Sequence, residues 1–394
     1  VTQVLPYGRP VVDDDDIDAV VEALRSDMLT TGPRVGEFEQ AFAAATGAVA
    51  AVACNSGTAA LHLAVLASDL GPGHAAIVPA ITFLATANVV RMTGADVVFA
   101  DVDPDTGLLT PGTLTDALAH AKERGLRVTA ALPVHLNGQC CDMAEFAKIA
   151  DQANLALIED ACHSLGVPGI GANLHSTAAC FSTHAVKAIT TAEGGVVTTR
   201  DTGKAARMRS LRSHGMVRDA ASFQDSMLGF DGATPNPWYY EMHELGWNYR
   251  LPDVLCALGI SQLRKLERFY RRRQEIAALY DRLLAPLAPV VRPVTHGGRP
   301  HGWHLYAVLV DFLALDTTRR RFMEALHAAG VGTQVHYLPV YRQPYYSQSG
   351  GEEDLDGAEA YYSRCLSIPL FPSMSDDDVA QVVASLRHIV GERV

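Results

Sequence analysis

This chain lacks a concentrated basic surface. Of its 394 residues, 32 are Lys or Arg and 44 are Asp or Glu, a net charge of −12. Its densest basic stretch, Arg271-Arg272-Arg273, falls in a predicted helix and reads as a solvated face. Counterion release from nucleic acid needs a cationic stripe, so no nucleic-acid partner is expected. No apolar run is long enough to span a bilayer, and residues 1–10 carry no charged-then-apolar signal pattern. The expectations are no membrane partner and a cytoplasmic location. Seven cysteines occur, never as Cys-x-x-Cys and mostly inside apolar runs. That argues for buried free thiols in a reducing compartment and against a metal site. Internal repeats and low-complexity tracts are missing too.

The composition that remains, 48% hydrophobic and 19% charged, is that of a folded globular chain. Its length exceeds what one core usually holds, so two domains are expected. Short apolar runs at 76–78, 97–100, 128–134, 155–158, 178–181 and 196–199 read as buried strands. Amphipathic stretches at 114–124 and 143–152 read as helices. This alternation predicts an α/β domain with helices on both faces of a mostly parallel sheet, though periodicity cannot say whether every strand is parallel. Residues 252–284 read as one long helix between Pro252 and Pro286. Beyond it, strand-like segments at 304–310 and 333–337 and helices near 319–329 and 376–390 predict a smaller α+β domain. Residues 347–351, Ser-Gln-Ser-Gly-Gly, read as a loop.

Three segments bear on chemistry. Asn55-Ser56-Gly57-Thr58 enters a strong helix former, where free N–H groups and the helix dipole favour an anion. Taken alone, it reads as an ordinary N-cap. The strand-like run at 155–158 ends in Glu159-Asp160-Ala161-Cys162-His163, at the end of a strand that borders the ligand crevice in open α/β sheets. An acid there can cap a turn, bind a metal or pair with a cationic ring nitrogen. Lys187 lies among Ala185, Val186, Ala188 and Ile189. It is either an exposed loop lysine or an amine whose apolar setting lowers its pKa and makes it a nucleophile and base. Together these supply an anion nest, an amine and a carboxylate, the parts that pyridoxal phosphate (PLP) requires.

The same residues resemble the fold-type-I, PLP-dependent sugar aminotransferases of the DegT/StrS type. The resemblance runs from Leu29-Thr30-Thr31-Gly32-Pro33 and Phe38-Glu39 to Leu366-Ser367-Ile368-Pro369-Leu370-Phe371-Pro372. It includes Thr82-Phe83-Leu84-Ala85-Thr86-Ala87-Asn88, Val134-His135-Leu136-Asn137-Gly138-Gln139, Ser-x-His-x-x-Lys ending at Lys187, and Gly246-Trp247-Asn248-Tyr249-Arg250. It implies a large PLP-binding domain over 1–264, with 1–33 at the site or interface, and a smaller domain over 265–394. It further implies that Lys187 forms the Schiff base, Asp160 pairs with the pyridinium nitrogen, His163 lies beside the ring and Phe83 stacks on it. Ser56, Gly57, Thr58 and Ser182 would hold the phosphate, and Asn248 would reach the neighbouring subunit's cofactor in a homodimer with shared sites. Tyr7, Leu29, Thr30, Thr31, Gly32, Gln334, His336 and Tyr337 are candidate substrate contacts. Thr183, Ala185 and Ala192 depart from the family's usual Phe, Pro and Gly.

Within the family, the segments at 236–242, 332–337 and 343–346 resemble the branch that makes the 4-amino sugar of pseudaminic acid biosynthesis. The implied reaction moves an amino group from L-glutamate to the C4 keto group of a UDP-linked 4-keto-6-deoxy-N-acetyl hexose, with pyridoxamine phosphate (PMP) as the intermediate form of the cofactor. Another nucleotide-linked 3- or 4-keto-deoxysugar is the alternative. A PLP-dependent sugar dehydratase would carry His at position 187, and a non-catalytic PLP-binding regulator would be expected to lose Lys187 or Asp160. A nicotinamide dehydrogenase needs a Gly-x-Gly-x-x-Gly turn, and residues 166–171 have the wrong spacing and a proline.

Overall fold

The computed structural model describes residues 4–294, 298–348 and 355–391. Seven strands form the main sheet: β1 (Ala50–Cys54), β2 (Ala75–Pro79), β3 (Asp96–Ala100), β4 (Val128–Ala131), β5 (Ala156–Asp160), β6 (Ala178–Ser182) and β7 (Gly195–Thr199). Their spatial order is β1-β7-β6-β5-β4-β2-β3. From β6 to β3 all neighbours are parallel, whereas β7 runs antiparallel to both β1 and β6. β1 is absent from the strands expected above, because its alanines carry no strand preference; pairing with β7 makes it one. The strand expected over 128–134 stops at Ala131, and Val134 rejoins only through a single bridge to Asp160. Pro133 between them has no N–H to give a ladder.

The helices are α1 (Asp14–Arg25), α2 (Pro33–Thr46), α3 (Gly57–Leu66), α4 (Leu84–Met92), α5 (Pro111–Glu123), α6 (Met143–Ala153) and α7 (Thr202–Leu211). Alternate residues of a strand face opposite sides. Thus Ala76 and Val78 pack with α3, α4 and α7, while Ala75 and Ile77 pack with α5 and α6. Helix α3 is buried continuously from Ala59 to Val65, which is why it is apolar all round. Glu39 ties α2 to this layer: it accepts from Ala53 N at 3.0 Å and pairs with Arg209 and Arg212 of the α7 end.

After α7 comes an arm of short pieces: β8 (Met216–Val217), α8 (Ser226–Gly229), β9 (Phe230–Asp231), β10 (Thr234–Pro235) and β11 (Glu241–Met242). Met227, Leu228, Trp238, Met242 and Leu245 are exposed on it. The single helix expected over 252–284 is two, α9 (Asp253–Leu263) and α10 (Leu266–Leu284). The break falls at Lys265, whose amine is held by Asp13 and Asp16. Helix α9 packs on α1 and α2 while α10 packs on the last helix, Asp376–Gly391, so one straight rod could not serve both. Nor is the basic stretch all solvated: Arg273 is 2% exposed and donates to the carbonyls of Trp303, His304 and Leu370.

The remaining strands, β12 (Val291–Pro293), β13 (Tyr306–Val310) and β14 (Cys365–Ile368), form an antiparallel sheet. Helices α11 (Arg319–Ala328), α12 (Pro344–Ser347), α13 (Asp356–Arg364) and α14 (Asp376–Gly391) accompany it. One core there is drawn from residues 276 to 390. The strand expected over 333–337 is reduced to a bridge between Gln334 and Ser367. Of the loop expected over 347–351, Ser347 ends α12 and residues 349–351 lie outside the described residues. The N-terminal segment runs along this part: Leu5 bridges Val331, and the Tyr7 carbonyl accepts from Leu370 N at 3.1 Å. No helix among the described residues is long and apolar enough to cross a membrane.

Candidate active site

A cavity of about 690 Å³ opens at the carboxyl end of β5 and the start of α3, where the parallel strands leave a crevice. Adjacent carboxylates at the end of β5 point to opposite sides, as strand period requires. Glu159 turns away and pairs with buried His135 at 2.8 Å. Asp160 turns into the cavity, where Thr86 Oγ1 donates to its Oδ2 at 2.7 Å and Cys162 N to its Oδ1 at 3.2 Å. Among the described residues no salt bridge satisfies Asp160. A buried carboxylate fixed by two neutral donors is free to pair with a cation brought in by a ligand.

Helix α3 begins at the cavity wall. Ser56 is its N-cap, and its hydroxyl takes the N–H of Ala59 at 3.0 Å. The N–H groups of Gly57 and Thr58 are left for an anion. Gly57 must be bare: a Cβ there would stand 2.9 Å from Ser182 Cβ and 3.3 Å from its Oγ. The helix end and Ser182, at the end of β6, therefore close on one another as a cradle. Phe83, the N-cap of α4, is 56% exposed and also lines the cavity, its ring centroid 6.0 Å from that of Tyr337.

Lys187 is carried by the loop between β6 and β7. The loop is drawn together at its base: Thr183 N donates to Gly194 O at 2.9 Å and Thr191 N to Thr183 O at 2.8 Å. The hydroxyls of Thr183 and Thr191 meet at 2.5 Å, which gives Thr183 a buried role in this loop. Ala192 has φ = 62°, a left-handed conformation that a glycine would adopt without strain. Burial pulls the Lys187 amine below the usual lysine range, offset in part by Cys162 and Asp160.

Around this amine stand three histidines that burial keeps neutral. His163 is pushed well below its ordinary value by burial, with Lys187, His336 and His135 adding to it. Asn137 N–H donates to its Nδ1 at 3.2 Å, so the ring proton sits on Nε2, 3.4 Å from the Tyr337 hydroxyl. His336 is lowered to about 3 by burial and by Lys187; Ser367 Oγ lies 2.8 Å from its Nδ1. His304 is likewise held well below its ordinary value, first by burial and then by Lys187. Its Nε2 is 3.5 Å from Lys187 Nζ.

Most residues expected at the site converge here: Tyr7, Ser56, Gly57, Thr58, Phe83, Asp160, His163, Ser182, Lys187, Gln334, His336 and Tyr337 all line the cavity. Others do not. Leu29 to Gly32 lie outside it, held against α9 where Asp253 accepts from Gly32 N at 2.8 Å and donates its N–H to Leu29 O at 3.0 Å. Asn248 is exposed beyond the cavity, and its carbonyl accepts from Asn55 Nδ2 at 3.3 Å. Sequence reasoning missed Thr86, Cys162 and His304. Thr86 lies inside a quoted motif, four residues after Thr82, and its place on the helix face was the available signal. His304 belongs to the smaller part of the chain, and nothing local marks it.

These residues fit PLP: a phosphate-sized cradle with bare N–H groups, an amine of lowered pKa and a carboxylate with no cation of its own. The described residues hold no group of His, Cys, Asp and Glu able to bind a metal. Residues 10–387 match the DegT/DnrJ/EryC1/StrS aminotransferase family. The spore coat polysaccharide biosynthesis protein SpsC of Bacillus subtilis is 40% identical over 393 residues, covering 98% of this chain and 97% of SpsC. Among solved structures, Helicobacter pylori PseC, an aminotransferase involved in pseudaminic acid biosynthesis, superposes with a TM-score of 0.87 at 29% identity, covering 99% of this chain and 100% of PseC. Spr1654 of Streptococcus pneumoniae in its PLP form gives a TM-score of 0.87 at 25% identity, covering 99% of this chain and 100% of that one; its PMP form is equally similar. A family match over nearly the whole length makes the assignment plain: this chain belongs to the DegT/DnrJ/EryC1/StrS aminotransferases and is a PLP-dependent enzyme.

Proposed function

We propose that this aminotransferase works on a nucleotide-linked keto-sugar, taking the amino group from L-glutamate and delivering it to the C4 keto group of a UDP-linked 4-keto-6-deoxy-N-acetyl hexose. The observation that carries the chemistry is the Lys187 amine, desolvated, at the cavity that also contains Asp160 and the bare start of α3. The PseC likeness supports the sugar, since PseC serves pseudaminic acid biosynthesis. The SpsC likeness, to a polysaccharide biosynthesis protein, favours the second reading of a different nucleotide-linked keto-deoxysugar.

Bound PLP supplies an aldehyde that exchanges amino groups and a ring that accepts the electron pair left on the reacting carbon. Gly57 and Thr58 N–H with Ser182 hold its phosphate. Asp160 keeps the ring nitrogen cationic, and the Thr86 hydroxyl keeps Asp160 aimed. Lys187, once free, takes a proton at Nζ and returns it from Nζ, a task that its desolvated, lowered pKa favours. His163, neutral and fixed as the Nε2–H tautomer, adds a polar edge without a second positive charge.

The active unit is a homodimer in this reading. Asn248 and the 29–32 segment stand outside their own chain's cavity, and the exposed Trp238, Met227 and Leu245 offer an apolar face to a second copy. Three experiments test this reading. A panel of nucleotide 4-keto-sugars with glutamate as donor should give amine transfer to the UDP-linked N-acetyl compound; transfer only to other sugars refutes the substrate. Lys187→Ala should abolish transfer, and normal turnover would end the assignment of that residue. Mixing Lys187→Ala with Asn248→Ala chains should restore activity in mixed dimers if the sites are shared.

A further inference from the structure

We propose that His304 is a positioning residue for Lys187: its neutral imidazole accepts a hydrogen bond at Nε2 from the lysine amine and aims that amine while it carries a proton. The contact is the 3.5 Å approach of Lys187 Nζ to His304 Nε2, in a place where His304 is only 6% exposed. Its other ring nitrogen, Nδ1, is buried with no hydrogen-bond partner, so no second polar group competes for the ring's orientation.

What holds the ring is packing and backbone. It lies against His163, with ring centroids 4.4 Å apart and 39° between planes. Its carbonyl, with those of Trp303 and Leu370, accepts from Arg273 Nη1 at 3.1 to 3.2 Å. Arg273 reaches these oxygens from α10, so the buried guanidinium fixes the segment ahead of β13 that carries His304. This gives a use to an arginine that the reaction itself does not touch. The groups facing the pair are Asp160 and Cys162 on the Lys187 side, and His163, His336 and Arg273 on the His304 side. Burial and the positive charges of Lys187 and Arg273 keep His304 an acceptor. It therefore favours the ammonium form of Lys187 without taking the proton, and no proton-transfer step is added.

The physical need is conformational. A lysine released from its bond with the cofactor regains a side chain of high rotamer entropy, and a misplaced amine is a poor proton carrier. A fixed acceptor confines Nζ to the reacting side. The inference rests on the reading of Lys187 as the proton-carrying amine, and it does not depend on which sugar is used.

The test uses protein loaded with PMP, in which Lys187 is free, and variants His304→Phe and His304→Gln. Phe keeps the ring's bulk against His163 and removes the acceptor; the Gln amide oxygen retains one. Reductive methylation of Lys187, followed by peptide mass spectrometry across pH, reports its protonation. His304→Phe should move the labelling midpoint down by about one pH unit, because the ammonium loses its acceptor. It should lower kcat by about 10- to 100-fold with KM changed less than about 3-fold. His304→Gln should leave the midpoint near that of the parent and recover most of kcat. An unmoved midpoint in the Phe variant, or a Gln variant as impaired as Phe, overturns the proposal. If Phe does not fold, a Gln midpoint shifted by a full unit overturns it and an unshifted one supports it. A protein inactive on every sugar tested would still give the labelling result, so failure of the substrate reading is separate.

Discussion

Replacing Gly57 by Ala tests the cradle at its tightest point. The new methyl would sit 2.9 Å from Ser182 Cβ, 3.3 Å from Ser182 Oγ and 3.4 Å from Cys162 Sγ. That first distance is about 0.6 Å short of an ordinary carbon contact of ~3.5 Å. Ser182 Cβ is fixed by its strand and cannot rotate away, so the start of α3 and the end of β6 must separate. Overpacking of this kind costs about 1–3 kcal/mol. In cofactor-free protein the gap can open cheaply into the cavity, so unfolding in urea should change by less than about 1 kcal/mol. With cofactor bound, both arms must hold one phosphate at their original spacing. The cost then appears as weaker binding, about 10- to 100-fold at 1.4 kcal/mol per decade. Absorbance titration with PLP measures it. Ser182→Gly removes both Ser182 contact atoms, so in a double-mutant cycle the Gly57→Ala penalty should largely vanish on that background. PLP affinity within 3-fold of the parent, or strictly additive effects, would refute the reasoning.

Three further outcomes are expected. Ala192→Gly should raise stability by about 0.5–1 kcal/mol in urea unfolding, since the residue is exposed at φ = 62° and relief of about 1–2 kcal/mol of left-handed strain outweighs the added freedom of the unfolded chain; a loss of stability would show that the loop is not strained there. His62, buried on α3 with Nε2 unpartnered, is lowered by burial from 6.5 to about 4. Its contribution is whole above pH 6.5 and is lost as pH falls towards 4, because the unfolded chain takes the proton first. By pH 4.5 this amounts to about 2.5 kcal/mol, so His62→Leu should flatten the fall in unfolding free energy between pH 7 and 4.5 by roughly that much; an unchanged slope refutes it. Glu39→Ala should destabilise by about 3 kcal/mol, leaving the largely buried Arg212 without its carboxylate, and a melting temperature equal to the parent's would contradict the anchoring role.

Much of the site was legible because its parts are local. Ser56-Gly57-Thr58 ahead of a helix former, Asp160 at a strand end and Lys187 among small apolar residues are each patterns a few residues long, and the α/β alternation set them at the same edge of a sheet. The chain by itself therefore determined most of the buried strands, though not β1, where α3 begins and which residues carry charge or an amine. Only the tertiary structure decided that β7 runs against its neighbours, since pairing direction depends on how the chain returns and not on the period of a strand. It decided that Glu159 leaves and Asp160 enters the cavity, that Arg273 is buried in a stretch that reads as solvated, and that the helix after Pro252 breaks where Lys265 meets Asp13 and Asp16. His304 reaches Lys187 across 117 positions of sequence. Such a contact arises from packing two layers together, and neither layer's own periodicity contains it.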